Sequence, residues 1–276
     1  MVDHPFRFGI VATPEQRPGA TPAGTAAAWL QLARSVENAG YSSLLVPDTM
    51  QTLSSLPSCA VAAGATSSLR VGPYVLSVPN RRPELIAQDS AALHMLTGRR
   101  FELGLGAGRP GAEADAAALG MPFGSPVERI RQLEAAAAAV RSANPEIPIM
   151  IAGRGPKLLT LAGHIADIVA FGLSAEAGID ELRQAVDRVN GSGRDIELSI
   201  NLLCVGDDPP PYLRRWLNLD LPDLIARKSI SVLTGSVAEM VDTLGTLRET
   251  CGVSYVCAGS AFLERLTPVV AQLADN

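Results

Sequence analysis

The chain has 276 residues, 47% of them hydrophobic and 18% charged, and its formal net charge is −5. That balance can bury a large core and excludes a disordered chain. A weakly acidic protein whose arginines are scattered rather than striped is a poor ligand for polyanions, so no nucleic-acid partner is expected.

Cys59, Cys204, Cys251 and Cys257 form no C-x-x-C pair and have no histidine at metal-ligand spacing. They read as free, mostly buried thiols in a reducing cytoplasm, without a metal. The opening MVDHPFRFGI lacks a charged region followed by an apolar one, so no signal peptide is expected. Charge interrupts the alanine-rich runs well short of the ~18 apolar residues of a membrane span, so no membrane partner is expected either.

Short apolar runs alternate with helix-period stretches along the whole chain. The strands are FRFGIVA (Phe6 to Ala12), SSLLVPD (Ser42 to Asp48), LRVGPYVL (Leu69 to Leu76), RFELGLGAG (Arg100 to Gly108), IPIMIAG (Ile147 to Gly153), DIVAFG (Asp167 to Gly172), IELSINLLCVG (Ile196 to Gly206) and GVSYVCAG (Gly252 to Gly259). The first helix stops at Gly40, a common left-handed terminator, and the third starts at Pro83, which suits a first helical turn. Eight such units predict an α/β fold, a closed (β/α)8 TIM barrel of one domain over residues 1–276. A doubly wound sheet that binds nucleotides would carry G-x-G-x-x-G after its first strand, where this chain has VATPEQ. One segment does not fit a plain unit. Residues 207–231, with Pro209, Pro210 and Pro211, read as an excursion between strand seven and helix seven that would form a flap over the mouth.

Active sites of such barrels lie at the C-terminal ends of the strands. In IPIMIAGRGPKLL, a strand ends at Gly153 and a helix begins at Pro156, with Arg154, Gly155 and Lys157 between or beside them. Open N–H groups at a helix start attract an anion, so this is either a phosphate seat or a plain βα turn. In LGLGAGRPG, Gly104, Gly106 and Gly108 strip side chains from the barrel lining. They would admit a planar ring or another backbone, or form a tight turn. In VPDTM, Asp48 beside Thr49 would serve as a base or acceptor, or cap the next turn. His94 and His164 sit within helices and read as structural. Trp29 and Trp216 read as packing residues, with Trp216 a candidate cleft-lining residue, and Arg81 and Arg82 simply precede a helix start. No Ser-His-Asp or Cys-His set stands out, nor an acid pair of glycosidase type.

The run LRVGPYVLSVPNRRPELIAQDSAALHMLTGRRFELGLGAGRP resembles luciferase-like monooxygenases, as do GYSSLLVPDTM, IPIMIAGRGPKLLTLAGHIADIVAFG and GSVAEMVDTLGTLRETCGVSYV. Together these cover nearly the whole chain. Within that group it is most similar to actinobacterial proteins that use coenzyme F420, a deazaflavin. The resemblance implies a cofactor phosphate at Gly153, Arg154, Gly155 and Pro156, and a ring over Gly106, Ala107 and Gly108 beside Asp48. It also implies a non-proline cis peptide near Tyr74–Val75 and a homodimer formed through helices two and three.

The departures are Thr49, where the family carries histidine, and Arg109, acidic in the sugar-phosphate dehydrogenases of the family. They argue against that activity. The segment from Arg141 to Ile147 is also shorter than the family's. The resemblance implies an F420-dependent oxidoreductase acting on a small hydrophobic substrate, with Asp48, Thr49 and Arg109 as catalytic candidates. The alternatives are an FMN-dependent monooxygenase fed by a partner reductase, a flavin-binding protein without turnover, and a non-redox phosphate-binding barrel.

Overall fold

The computed structural model describes residues 4–15, 19–109 and 111–274. Its main sheet is parallel and closes on itself. The strands are Arg7–Val11, Ser43–Val46, Arg70–Pro73 continued by Leu76–Ser77, Leu103–Gly106, Ile149–Gly153, Ile168–Phe171, Glu197–Leu202 and Val253–Gly259. The eighth pairs with the first, with Arg7 opposite Tyr255 and Val11 opposite Gly259. The ring closes between the third and fourth, where Val71 bridges Phe101 and Leu76 lies opposite Leu105. This is the expected barrel.

Successive side chains point to opposite faces of a strand. One set, with Phe8, Ile10, Leu44, Leu105 and Ile151, packs outward against the helices. The other set, Leu45, Met150, Ile168, Ala170, Tyr255 and Cys257, fills the barrel interior. Burial on both faces is why the strands read as continuous apolar runs. The helix starts follow local chemistry: Pro22, Pro83, Pro126 and Pro156 each open a helix, and Ser125–Glu128 and Ser236–Glu239 form capping boxes. Gly40, at φ +82°, stands just past the first helix as expected.

Charge plugs the N-terminal end of the barrel. Arg7 points inward and donates to Glu197 at 2.7 Å and to Glu102 at 2.6 Å, with its guanidinium 3.9 Å above the Tyr255 ring. Arg70 also bonds Glu102, and the Tyr255 hydroxyl pairs with Ser43. Burial alone would raise the Glu102 pKa; Arg7 and then Arg70 override it and hold the carboxyl below its ordinary value.

Three local expectations are corrected. Strand three is split after Pro73, where the Tyr74–Val75 peptide is cis, as the resemblance implied. Strand seven does not run to Gly206. It ends at Leu202, because Leu203 N–H and Gly206 N–H donate to Ser231 and Leu233, and Cys204–Val205 pairs with Val232–Leu233 in a separate two-stranded sheet. A short helix, Ala112–Ala118, was not read from the sequence. It starts behind Gly111 at φ +84° and has no side-chain cap to announce it.

The excursion carries two short helices, Pro211–Leu217 and Leu221–Ala226. Ser229 and Ser231 hydroxyls both donate to the Ala175 carbonyl, and Tyr212 donates to the Leu203 carbonyl. These bonds hold it on the C-terminal rim, against the loop after the sixth strand.

Candidate functional site

At the mouth, Gly155 caps the helix Pro156–Ile165 without a side-chain hydrogen bond. A Cβ added at Gly155 would meet nothing within 4 Å, whereas one at Gly153 would strike Leu158 Cδ2 at 2.3 Å. Gly153 therefore lets the helix pack down, and Gly155 keeps the approach to its N-terminus open. Arg154 and Lys157 are exposed beside it. The first N–H groups of a helix have no intrahelical acceptor, and the helix dipole favours an anion there. The segment thus combines open N–H groups with exposed positive charge.

The glycine-rich fourth strand has an explanation within the protein. A Cβ on Gly104 would lie 2.2 Å from the Pro73 carbonyl oxygen, and one on Gly106 would lie 2.6 Å from Val75 Cγ2. Gly108, at φ +91°, would bring its Cβ to 3.0 Å from the Phe123 ring. The missing side chains make room for strand three and for Phe123. Arg129 stacks 4.3 Å over that ring and donates to the Ala107 carbonyl at 2.7 Å. Of the readings open in the sequence, close approach of another backbone accounts for Gly104.

Asp48 lies at the end of the second strand, its side chain 6% exposed. Arg81 Nη2 donates to Oδ1 at 2.9 Å and Nη1 to Oδ2, Ser55 donates to Oδ1 at 3.0 Å, and Ser77 N–H to Oδ2 at 3.3 Å. A carboxylate offers about four lone-pair directions, so all are engaged. Asp48 fastens the third strand's exit, and Arg81 is its ion-pair partner rather than a mere prelude to the helix. Thr49 directs its hydroxyl to Gln51 N–H and Thr52 within its own loop, both at 3.2 Å. Arg109 donates to Asp115 at 2.7 Å, and Gln51 bonds the other oxygen of Asp115 at 3.1 Å. The three sequence-chosen polar groups therefore stand on one side of the mouth, each bound to the protein.

Tyr74 enters the interior from the third strand, with Cys257 and Ser199 as its hydrogen-bond partners. Burial, then Cys257, pushes its phenol well above the ordinary range. Asn201, inward on strand seven, was not singled out in the sequence; it stands inside the apolar run INLL. His94 is buried within its helix, with burial and then Arg99 lowering its pKa. Trp29 is buried and donates to the Ser58 carbonyl at 3.0 Å, which bears out a packing role. The side chain of Trp216 lies outside the described residues. All four cysteines are free and buried. Among the described residues no helix is long and apolar enough to cross a membrane, and no His/Cys/Asp/Glu cluster is suited to a metal.

The fold is a closed parallel (β/α)8 barrel with a helix start open at its mouth. Residues 6–136 match the family model for luciferase-like monooxygenases. The chain is 24% identical over 184 residues to a 5,10-methylenetetrahydromethanopterin reductase from Methanolobus tindarius, a match covering 59% of this chain and 56% of that relative. The chain thus spans just over half of that relative's length. Among solved structures it resembles the coenzyme F420-dependent tetrahydromethanopterin reductase of Methanopyrus kandleri, with TM-score 0.73, 18% identity, and 98% and 99% of the two chains covered. It also resembles the oxygenating constituent of 3,6-diketocamphane monooxygenase from Pseudomonas putida, solved with FMN, with TM-score 0.72, 15% identity, and 97% and 95% covered.

Proposed function

We propose that this chain is a cofactor-dependent oxidoreductase whose mouth holds coenzyme F420. The observation that carries the reading is the open N-terminus of the helix Pro156–Ile165 at a strand end of the barrel. Gly153, Arg154, Gly155 and Pro156 would hold the phosphate, and Tyr74, Val75 and the Gly106 to Gly108 turn would border the ring. When bound, the deazaflavin supplies hydride chemistry, and the protein supplies orientation and a dry, apolar surround.

The similarity to an F420-dependent reductase supports this cofactor, and the similarity to an FMN-bound monooxygenase supports the alternative. The Arg109–Asp115 pair favours the first. An FMN monooxygenase, fed by its reductase, needs a donor for a developing anion, and Arg109 already faces a carboxylate. Asp48, Thr49 and Arg109 then act by holding the loops of the mouth in place rather than by moving protons.

Fluorescence titration with F420 and with FMN tests the reading. Submicromolar binding of F420 alone is the expected result; binding of FMN alone moves the assignment to the monooxygenase, and binding of neither removes it. We place this chemistry in the cytoplasm, on a small, mainly apolar substrate, in a homodimer. Met95 and Leu96 are 81% and 83% exposed at the end of the helix Pro83–Leu96, and Val61 is exposed on the helix Ser55–Gly64. Light scattering should find a dimer for the wild type and a monomer for Met95→Glu/Leu96→Glu; a wild-type monomer would refute the dimer.

A further inference from the structure

The inward positions of strand seven are Glu197, Ser199 and Asn201, two residues apart. Glu197 is bound by Arg7, and Ser199 lies against Cys257. Asn201 differs. Its Oδ1 is buried and has no hydrogen-bond partner among the described residues. It stands opposite Cys257, nearer the mouth than Ser199. The surrounding interior surface is mainly apolar: Ala170 and Cys257 are buried, Val11, Tyr74, Val75 and Ala152 are half-buried beside them, and the Tyr74 hydroxyl is engaged with Cys257 and Ser199. An Asn in such a place loses water without gaining a protein partner, which an apolar residue of the same shape would not.

We infer that Asn201 is a substrate-anchoring residue, binding the one oxygen of an otherwise apolar alcohol or ketone at the floor of the mouth. The inference names a substrate class for the oxidoreductase proposed above and rests on that reading. A carboxamide suits this class because it has both an acceptor and a donor. Oδ1 accepts from a hydroxyl, and after a half-turn of the group Nδ2 donates to a carbonyl. One residue can therefore hold either member of an alcohol–ketone pair. The Tyr74, Ser199 and Cys257 groups nearby are bonded to one another, and the rest of the surround is alkyl, so the ligand's remaining surface is hydrocarbon.

The test uses the full chain and its Asn201→Leu and Asn201→Ala variants, with cyclohexanol, cyclohexanone and cyclohexane as probes. Binding is followed by saturation-transfer NMR titration, with and without the cofactor identified by fluorescence. In Asn201→Leu the melting temperature should rise, because an unpartnered buried oxygen is removed. Affinity for both oxygenated probes should fall about tenfold or more, while that for cyclohexane holds. Equal affinity of wild type and Asn201→Leu for cyclohexanol, or no binding of either oxygenated probe by the wild type, overturns the inference. A lower melting temperature in both variants also overturns it, since Asn201 would then be a structural residue. Cofactor titrations of the same proteins keep the two readings apart: loss of F420 and FMN binding in the wild type sinks the oxidoreductase, whereas the probe and melting results judge Asn201.

Discussion

The two ends of the barrel solve opposite problems. At the N-terminal floor, Arg7, Arg70, Glu102 and Glu197 neutralise one another, and Ser43 satisfies Tyr255. At the C-terminal mouth, a helix start stands open behind Gly155, and Asn201 carries an unpartnered oxygen. The floor spends its polar groups on itself, and the mouth leaves some uncommitted. In a closed parallel barrel this is the division between an end that secures the fold and an end that meets ligands.

Breaking the floor should have the largest effect. Glu102→Leu removes the buried carboxylate that Arg7 and Arg70 share and leaves Arg7 with Glu197 alone, and loss of one partner of a buried pair costs up to about 3–5 kcal/mol. Urea unfolding should show that loss, while the protein that remains folded keeps its cofactor affinity; a coupled loss of both would erase the division between ends. Next comes the mouth. Gly155→Asp fits the backbone, at φ −69°, and meets no neighbour, so stability should move by no more than about 0.5 kcal/mol. Affinity for a phosphate-bearing cofactor should fall about a hundredfold, or roughly 2.7 kcal/mol. Unchanged affinity would remove the phosphate from this helix.

Gly106→Ala tests where the ends meet. Its Cβ would fall within 2.6 Å of Val75, and overpacking of that kind costs about 1–3 kcal/mol. Adding Val75→Ala should restore most of the loss. If the single substitution is neutral for stability but weakens cofactor binding, the glycine serves the ligand rather than strand three.

The smallest effect is the pH dependence of the floor. Glu102 has a folded-state pKa below its ordinary 4.5. It therefore contributes stability that is complete above the ordinary carboxylate range and is lost as pH falls through the depressed value. Melting temperatures below about pH 4.5 should fall less steeply in Glu102→Gln than in the wild type. Parallel acid limbs would show that Glu102 is not an ionised partner of Arg7.

The barrel was legible because its signals are local. Period, proline starts and the Gly40 stop are each read within a few residues, and they located all eight strands and the longer helices between them. What was not legible depends on distance along the chain. Arg81 was set aside because nothing near it reveals Asp48, 33 residues away. The end of strand seven at Leu202 depends on Ser231 and Leu233, which return only after the excursion. Gly104 and Gly106 were noticed as a pattern, but the atoms they accommodate, Pro73 and Val75, belong to another strand. Asn201 escaped because its neighbours are apolar, and its missing partner is visible only in three dimensions.

The excursion leaves and re-enters through a short parallel clip, Cys204–Val205 against Val232–Leu233, with Ser229 and Ser231 pinned to Ala175. A segment clamped at both ends behaves as a cassette. The barrel depends on the clip, and the cost of lengthening what lies between grows only slowly, by about 0.6 kcal/mol per doubling of a flexible loop. Leu213, Leu221 and Leu224 pack into the core from within the cassette, so the rim of this barrel can be rewritten at the exposed positions between Gly206 and Ser229 while the strands beneath it stay as they are.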